Sequence, residues 1–166
     1  MTGSLESFAQ RALVPAGIEY AVAPEPDNAA YSAAVLTVGT VRLRVREARV
    51  TPTKPGAFVS VWRRAPDGGT EPFPAADAEA GVLVFVAEAA HTGVFHFTPA
   101  HLAELGVVST DSAPGKRGFR VYPPWCHHLN PQATRAQRAQ ASAFIDLAEG
   151  ENDVTASELL LRLGLK

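Results

Sequence analysis

The sequence predicts a single-domain α/β protein in which helices flank a mixed central β-sheet. Three observations support this fold class. A chain of 166 residues with 46% hydrophobic residues can bury one sizeable core. Short apolar runs, some of them alternating with a period of two, lie between glycine and proline turns, as strands do. Segments with helix-capping residues stand at both ends of the chain and between the strands.

The amino-terminal segment predicts a short amphipathic helix. Residues 4–13 place apolar side chains at helical spacing, and Pro15 and Gly17 end the pattern. The next stretch, AVAPEPDNAAYSAA at 21–34, is rich in proline and alanine and only weakly periodic. We therefore expect a loop there, leading into a strand at Ala34–Val38.

A hairpin follows, and its second strand concentrates arginine on one face. Gly39-Thr40 supplies the turn. In residues 41–46 three valine or leucine residues alternate with three arginines, and a period of two sends the two sets to opposite faces of a sheet. With the apolar set in the core, we expect a basic strand face. It consists of Arg42, Arg44 and Arg46.

The middle of the sheet is predicted from three further runs. Phe58–Arg63 follows the turn sequence TPTKPG and predicts a third strand. Gly81–Val86 is continuously apolar, which is typical of a strand covered on both faces, and Val94–Phe97 is its expected hairpin partner. We expect these last two strands at the centre of the sheet.

Capping residues and prolines delimit a helix and a strand after the central hairpin. Thr98 is a typical cap and Gly106 a typical helix end, so a helix is predicted at Pro99–Leu105. Phe119–Tyr122 then predicts a strand. Pro123-Pro124 ends it, because proline cannot donate a ladder hydrogen bond.

Two helices are predicted in the carboxy-terminal part. Asn130-Pro131 is a cap with a first-turn proline, and it precedes a helix predicted from about Gln132 to Ala148. Thr155 with Glu158 three residues later forms a capping-box pattern. A short final helix is therefore expected at 156–163.

Composition suggests a cytoplasmic protein. No run of apolar residues reaches the roughly 18 needed to cross a bilayer, and the first residues lack the basic start and apolar core of a secretory signal. The single cysteine, Cys126, excludes an intramolecular disulfide. We expect a monomer or a homodimer that makes no contact with a membrane and is held together by packing alone.

The charged residues are unevenly distributed along the chain. The net charge of −2 argues weakly against a nucleic-acid-binding protein. Residues 42–64, however, hold seven basic residues and one acid, and residues 116–138 hold five basic residues and no acid. The remainder holds three basic and sixteen acidic residues. If the fold brings the two basic stretches together, the protein presents a cationic face.

The segment Gly115-Lys116-Arg117-Gly118 is similar in composition to a phosphate-binding loop. Two glycines free backbone N–H groups to point at an anion, and two cations supply charge. The Walker pattern is absent, because Arg117 stands where a hydroxyl residue should hold magnesium and a strand follows instead of a helix. Nucleoside triphosphate hydrolysis is therefore not expected. A turn that contacts a nucleic-acid phosphate and a merely solvated turn remain equally acceptable.

Candidate metal ligands and catalytic acids have simpler explanations. Cys126-His127-His128 are consecutive and cannot easily converge on one ion, and no second pair stands at zinc spacing. Asp77, Glu79 and Glu88 flank the central strand and could hold magnesium. The lysine that a restriction-type nuclease carries two residues after its strand acid is missing, so we favour solvated loop acids. No catalytic residue, metal site or cofactor is expected.

Three aromatic residues accompany the basic segments. They are Trp62, Tyr122 and Trp125. Rings beside arginine and lysine suit stacking on the bases of a single strand or a loop. Aromatic residues at strand ends more often pack in the core or at its rim, and this alternative stays open.

Three blocks of sequence resemble the signature of the MepB family. They are TPTKPGAFVSVWRR at 51–64, EPF at 71–73 and GKRGFRVYPPW at 115–125, in the family's order and spacing. The resemblance covers about 31–145 and implies a fold like the type II restriction-endonuclease core, with a capacity to bind nucleic acid. Two departures, at Phe97-Thr98-Pro99 and Trp125-Cys126, remove a lysine and an acid and weaken the case for nuclease chemistry.

Charge distribution and resemblance together predict a non-catalytic nucleic-acid-binding protein, for DNA or RNA. Each lysine or arginine that neutralises a phosphate releases condensed counterions, so the interaction should be salt-dependent. The expected contact residues are Lys54, Arg63, Lys116, Arg117, Arg120, Tyr122 and Trp125.

Two other functions remain open at this point. The same basic cluster could hold a small phosphorylated or carboxylated ligand, with Asp77 or Glu88 as an acid–base or metal-binding group. That function requires a closed pocket in which only Lys54, Lys116 and Arg120 converge, whereas a nucleic-acid surface should be broad and include the basic strand face. The basic face could also bind an acidic protein.

Overall fold

The computed structural model describes residues 3–77, 81–148, 157–158 and 160–165. The helices are α1 (Gly3–Phe8), α2 (Pro99–Glu104) and α3 (Pro131–Gln140). The strands are β1 (Ala21–Pro24), β2 (Ala34–Val38), β3 (Val41–Glu47), β4 (Arg49–Thr51), β5 (Lys54–Ser60), β6 (Trp62–Arg64), β7 (Thr70–Pro72), β8 (Val82–Glu88), β9 (His91–Phe97), β10 (Gly118–Val121) and β11 (Phe144–Asp146). A π-helical turn at Ala9–Leu13 continues α1.

The largest sheet is mixed, as the sequence predicted. Its strand order is β1-β2-β3-β8-β9-β11. The β3–β8 pair is parallel, and the other neighbours are antiparallel. Strand β5 pairs with β10 on one side and with β4 on the other, forming a second sheet, and β6 pairs with β7. Mixed α+β architecture with a mixed sheet and flanking helices is thus confirmed.

The central position predicted for the apolar run after Gly81 is confirmed. Strand β8 lies between β3 and β9. Leu83 and Phe85 pack in one hydrophobic cluster, with the amino-terminal helix, while Val82, Val84 and Val86 pack in a second cluster with β5 and β10. Both faces of β8 are therefore covered, which explains why its sequence does not alternate.

The loop predicted at 21–34 is partly wrong, because Ala21–Pro24 forms strand β1. This strand pairs antiparallel with β2 at the edge of the large sheet. Its residues are mostly exposed, so it carries no apolar alternation that could identify it. Pro24 ends the strand, where a missing N–H costs little.

The helix predicted from Gln132 to Ala148 is too long. Helix α3 ends at Gln140, a 3-10 turn follows at Ala141–Ala143, and β11 then pairs with β9. The ring of Phe144 lies directly over Gly93, where a Cβ atom would be 2.4 Å from the ring. Pairing with β9 thus overrides the helical pattern, since tertiary packing outweighs propensity.

The third strand predicted at Phe58–Arg63 is in fact two strands. Strand β5 ends at Ser60 and β6 begins at Trp62, in a different sheet. The N–H of Val61, between them, donates to the carbonyl oxygen of Arg117 at 2.8 Å. This contact marks the point where the chain leaves one sheet for the other.

The period of two in β3 is correct, but the predicted basic strand face is not a free surface. Arg46 is fully buried, and its Nη1 donates to Glu25 Oε1 at 3.1 Å. The Arg44 guanidinium lies 4.0 Å from the centre of the Phe73 ring. Arg42 is exposed. The face opposite the core residues is covered by further chain, which pattern analysis could not reveal.

The remaining predicted helices and strands agree closely with the structure. Thr98 Oγ1 accepts a hydrogen bond from the His101 N–H and caps α2. In the predicted final helix, residues 157–158 and 160–162 are helical and Leu163 lies in a turn; the rest of that helix lies outside the described residues. No helix in the described ranges is long and apolar enough to cross a membrane.

Candidate anion-binding cleft

A cleft with a volume of about 680 Å³ lies between β10, α3 and the end of α2. It is open to solvent on one side. Four basic side chains from three separate segments line it: Lys54 at the start of β5, Lys116 and Arg120 of the block 115–125, and Arg135 of α3. Glu104 is the acidic residue in its lining. We call this feature the basic cleft.

Most cations of the basic cleft are available to a ligand. Lys54, Lys116 and Arg135 are exposed. None of them makes an ion pair within the described part of the chain, and neither does Glu104. The excess of positive charge should therefore attract anions.

Arg120 occupies a fixed position in the cleft. It is half-buried, and its Nη1 and Nη2 atoms donate to the Pro55 carbonyl oxygen at 3.1 Å and to Thr51 Oγ1 at 2.8 Å. These bonds tie β10 to the turn sequence TPTKPG. A guanidinium has five N–H donors, so further donors remain for a ligand.

The ring of Tyr122 lies against Gly56 and also lines the cleft. Gly56 has a φ of +76°, and a Cβ atom there would lie 2.6 Å from the Val121 carbonyl oxygen and 2.8 Å from the Tyr122 ring. Only glycine fits such a conformation and such a contact. The glycine of TPTKPG is therefore needed to seat the tyrosine of GKRGFRVYPPW.

Gln140 holds α3 against β10. It is 4% exposed; its Oε1 accepts from the Tyr122 N–H at 2.9 Å, and its Nε2 donates to the Arg120 carbonyl oxygen at 2.8 Å. Strand β10 is at the edge of its sheet, so the Gln140 amide takes the place of a peptide group of a missing neighbouring strand.

Gln137 provides a second clamp one turn earlier on α3. Its Nε2 donates to the carbonyl oxygens of Pro123 at 2.9 Å and Cys126 at 3.2 Å. Together the two glutamines hold the chain after β10 against α3. The two walls of the basic cleft are thereby held in one arrangement.

The two glycines of GKRG are explained by close packing. A Cβ atom on Gly115 would lie 2.8 Å from Pro72 Cβ, and one on Gly118 would lie 2.5 Å from the Phe58 ring. The Lys116 N–H donates to the Val107 carbonyl oxygen at 2.8 Å. The segment therefore presents the side chain of Lys116 to the cleft, while this backbone N–H is already bonded.

Three of the seven predicted contact residues lie outside the lining of the cleft. Arg63 forms ion pairs with Glu71, at 2.7 Å, and with Asp77. Arg117 Nη2 donates to the Thr70 carbonyl oxygen at 2.9 Å. Trp125 stacks on His91 with ring centres 5.0 Å apart. The structure brings together the other four: Lys54, Lys116, Arg120 and Tyr122.

Sequence reasoning missed three residues of the cleft. Arg135 is counted only within the basic stretch 116–138, and neither it nor Glu104 nor Gln140 is among the predicted contact residues. Arg135 shares one face of α3 with Gln132 and Ala139, which also line the cleft. That spacing of three and four residues is a helical face and is visible in the sequence. The sequence does not show that this face of α3 lines the same cleft as β10.

The carboxylates considered for metal binding are far apart. Asp77 lies near the start of β8, where it pairs with Arg63, while Glu88 ends that strand. A strand of this length spans about 20 Å at roughly 3.3 Å per residue, so the two acids cannot share one ion. Within the described ranges no group of three His, Cys, Asp or Glu side chains could hold a metal ion. Glu79 lies outside those ranges.

Cys126 lies near Gly56 and Glu88. Burial raises the pKa of its thiol, a hydrogen bond from the Gly56 N–H lowers it, and the charge of Glu88 raises it further. The net shift is upward, so the thiol is the dominant form at neutral pH.

Comparison with known proteins places these features in a family context. Residues 25–146 match a family model described as MepB-like. The structure is similar to a crystal structure of MepB, with a TM-score of 0.77 and 27% sequence identity, over 88% of this chain and 97% of that chain. A search of curated proteins gives no match. The matched region includes β10, α3 and every residue that lines the basic cleft.

Proposed function

The chain belongs to the MepB-like family, and from the geometry of the basic cleft we propose that it is a non-catalytic nucleic-acid-binding protein. The proposal includes the restriction-endonuclease-like core that the family resemblance implied. The family assignment agrees with the sequence motifs. It does not by itself identify a ligand, so the proposal depends on the chemistry of the cleft.

One observation carries the proposal. Four cations from three segments line one open cleft, beside an aromatic ring, and the acidic residue in the lining is outnumbered four to one. Because lysine, arginine and tyrosine together provide phosphate contacts and a surface for base stacking, they are well suited to bind a nucleic-acid strand. The open side would let a strand enter and leave.

The expected salt dependence of the affinity follows from counterion release. Four phosphate contacts give a log–log slope of affinity against salt of about −3 for a single strand and about −4 for a duplex. A neutral or weakly charged ligand would have almost no slope. Salt dependence is thus the most direct property to measure.

Two features support the absence of catalysis. The carboxylate of Asp77 is held by Arg63, outside the basic cleft. Glu88 lies at the opposite end of β8. Neither of these two acids lines the basic cleft, so neither is within hydrogen-bond reach of a ligand bound there, as an acid–base group must be.

A second candidate function is binding of a small anionic ligand. Lys54, Lys116 and Arg120 converge on one cleft, as that function requires, and no arginine of the β3 face contributes to it. A volume of about 680 Å³ also falls in the range of small-molecule sites. The open side of the cleft favours the polymer over the small ligand.

The deciding experiment is fluorescence-anisotropy titration of labelled oligonucleotides at several salt concentrations. The test variant is Lys116→Ala/Arg135→Ala, which removes two exposed cations of the cleft that make no ion pair. Arg42→Ala/Arg138→Ala is its matched control, because these arginines are also exposed, lie outside the basic cleft and remove the same charge.

We expect micromolar or tighter binding by the wild type and by the control. The test variant should lose about half of the salt slope. If both double variants lose the same share of the salt slope, binding depends on the net charge of the protein and not on the basic cleft. No binding by the wild type at low salt would reject nucleic acid and leave the small anionic ligand, which a phosphate or nucleotide titration would then examine.

A further inference from the structure

A second cleft, with a volume of about 390 Å³, adjoins the basic cleft. Glu104 and Ala139 belong to the lining of both. The second cleft continues between α2 and the turn after α3, toward the carboxy-terminal helical residues. Its polar lining includes His96, Thr98, His101, Ser142 and Arg162.

The two clefts differ in their chemistry. The basic cleft carries unpaired cations, whereas the second cleft presents the hydroxyls of Thr98 and Ser142 and the ring of His101; its charged lining residues are Arg162 and Glu104, and Glu104 stands at the boundary that the two clefts share. The charge of Arg162 is paired with Glu158 at 2.9 Å. One cleft therefore suits a phosphate, and its neighbour suits a neutral polar ring.

His101 is held where the two clefts meet. Its Nε2 lies 2.7 Å from the carbonyl oxygen of Ala139, which lines both clefts. A carbonyl can only accept, so Nε2 carries a hydrogen and Nδ1 is the acceptor in the neutral ring. The ring also packs edge-on against Phe97, with centres 5.4 Å apart. A fixed aromatic ring at this junction can contact a base without a large loss of side-chain entropy.

We propose that the two clefts form a site for one nucleotide unit, with its phosphate in the basic cleft and its base in the second cleft beside His101. The inference rests on the proposed nucleic-acid binding, to which it adds base contact. A nucleotide unit within a strand and a free nucleotide share this chemistry. The two sources are separated by the arms of the test.

The test compares a thymidine oligonucleotide with an abasic oligonucleotide of the same length, which keeps the phosphates and lacks the bases. Thymidine monophosphate and inorganic phosphate form the small-ligand arm. Ser142→Trp fills the second cleft from an exposed position. Ala141→Trp is its matched control, because Ala141 is the neighbouring residue, is exposed and does not belong to the lining of either cleft.

We expect the wild type and Ala141→Trp to bind the thymidine strand about tenfold more tightly than the abasic strand, as base contacts of this kind are worth. Ser142→Trp should bind both strands with the affinity that the wild type has for the abasic one. We also expect the thymidine strand to shift the NMR signals of the His101 imidazole, and the abasic strand to leave them unchanged.

The outcomes separate this inference from the proposed function. Equal affinity of the wild type for the two strands would overturn the base site and leave nucleic-acid binding standing. If neither strand binds, the proposed function fails. The nucleotide site then still stands if thymidine monophosphate binds more tightly than inorganic phosphate and Ser142→Trp removes that difference. Failure of that arm as well would overturn the inference.

Discussion

The Gln140 clamp provides a sharp test of how the cleft is built. The Gln140→Leu substitution keeps most of the side-chain volume but removes the amide oxygen and the amide nitrogen that hydrogen-bond to the chain at the edge strand β10. The Arg120 carbonyl and the Tyr122 N–H, now at 2.8 and 2.9 Å from the amide, would be left without these bonds beneath α3. An unsatisfied buried polar group costs about 1–3 kcal/mol, so the free energy of unfolding should fall by about 2–4 kcal/mol.

Urea unfolding followed by circular dichroism measures this change. In a chain of this size a loss of about 3 kcal/mol corresponds to a fall in Tm of roughly 6–12 °C. Gln132→Leu is the matched control, because Gln132 is an exposed residue of the same helix. Exposed substitutions of this kind usually change stability by about 0.5 kcal/mol or less. If Gln140→Leu costs no more than Gln132→Leu, the amide does not act as a substitute strand and the reasoning is refuted.

Three further predictions concern residues around the cleft. Gly56→Ala should lower the free energy of unfolding by at least about 2 kcal/mol in urea titrations, because alanine is strained at this φ and its Cβ would contact the Val121 carbonyl; an unchanged midpoint would contradict the contact. Arg46→Met should cost about 3 kcal/mol, since it leaves Glu25 without its partner, and Arg46→Met/Glu25→Gln should recover part of that loss; a double variant as unstable as the single one would be evidence against the pair. Alkylation of Cys126 by iodoacetamide should have a pH midpoint above that of an ordinary thiol, because its pKa is raised, and Glu88→Gln should move the midpoint down; an upward or absent shift would exclude the Glu88 charge as a cause.

The sequence predicts an element of the fold well where a local pattern determines that element, and poorly where tertiary contacts determine it. The continuous run of β8 and the caps of α2 and α3 are local signals, and all were interpreted correctly. Strands β1 and β11 exist because of their partners β2 and β9. Neither has a period of its own, so only the sheet reveals them.

The candidate site was predictable to a similar degree. Lys54, Lys116 and Arg120 stand out because they are basic residues within the signature blocks, and they do reach one cleft. Arg63 has the same local signature, yet its charge is taken by Glu71 and Asp77. The partners of a cation are set by chain segments distant in sequence, so summed charge along a stretch overestimates the charge that a ligand can reach.

The three signature blocks meet through contacts that leave no room for larger residues. Gly56 of the first block lies against Tyr122 of the third, and Gly115 of the third lies against Pro72 of the second. These glycines therefore fix how the blocks pack together, whereas Lys54, Lys116 and Arg120 bring charge into the lining of the cleft. A variant of Lys116 or Arg135 should accordingly lose binding without losing stability, whereas a variant of these glycines should lose both. Measuring both properties on each variant separates the residues that contact the ligand from those that position them.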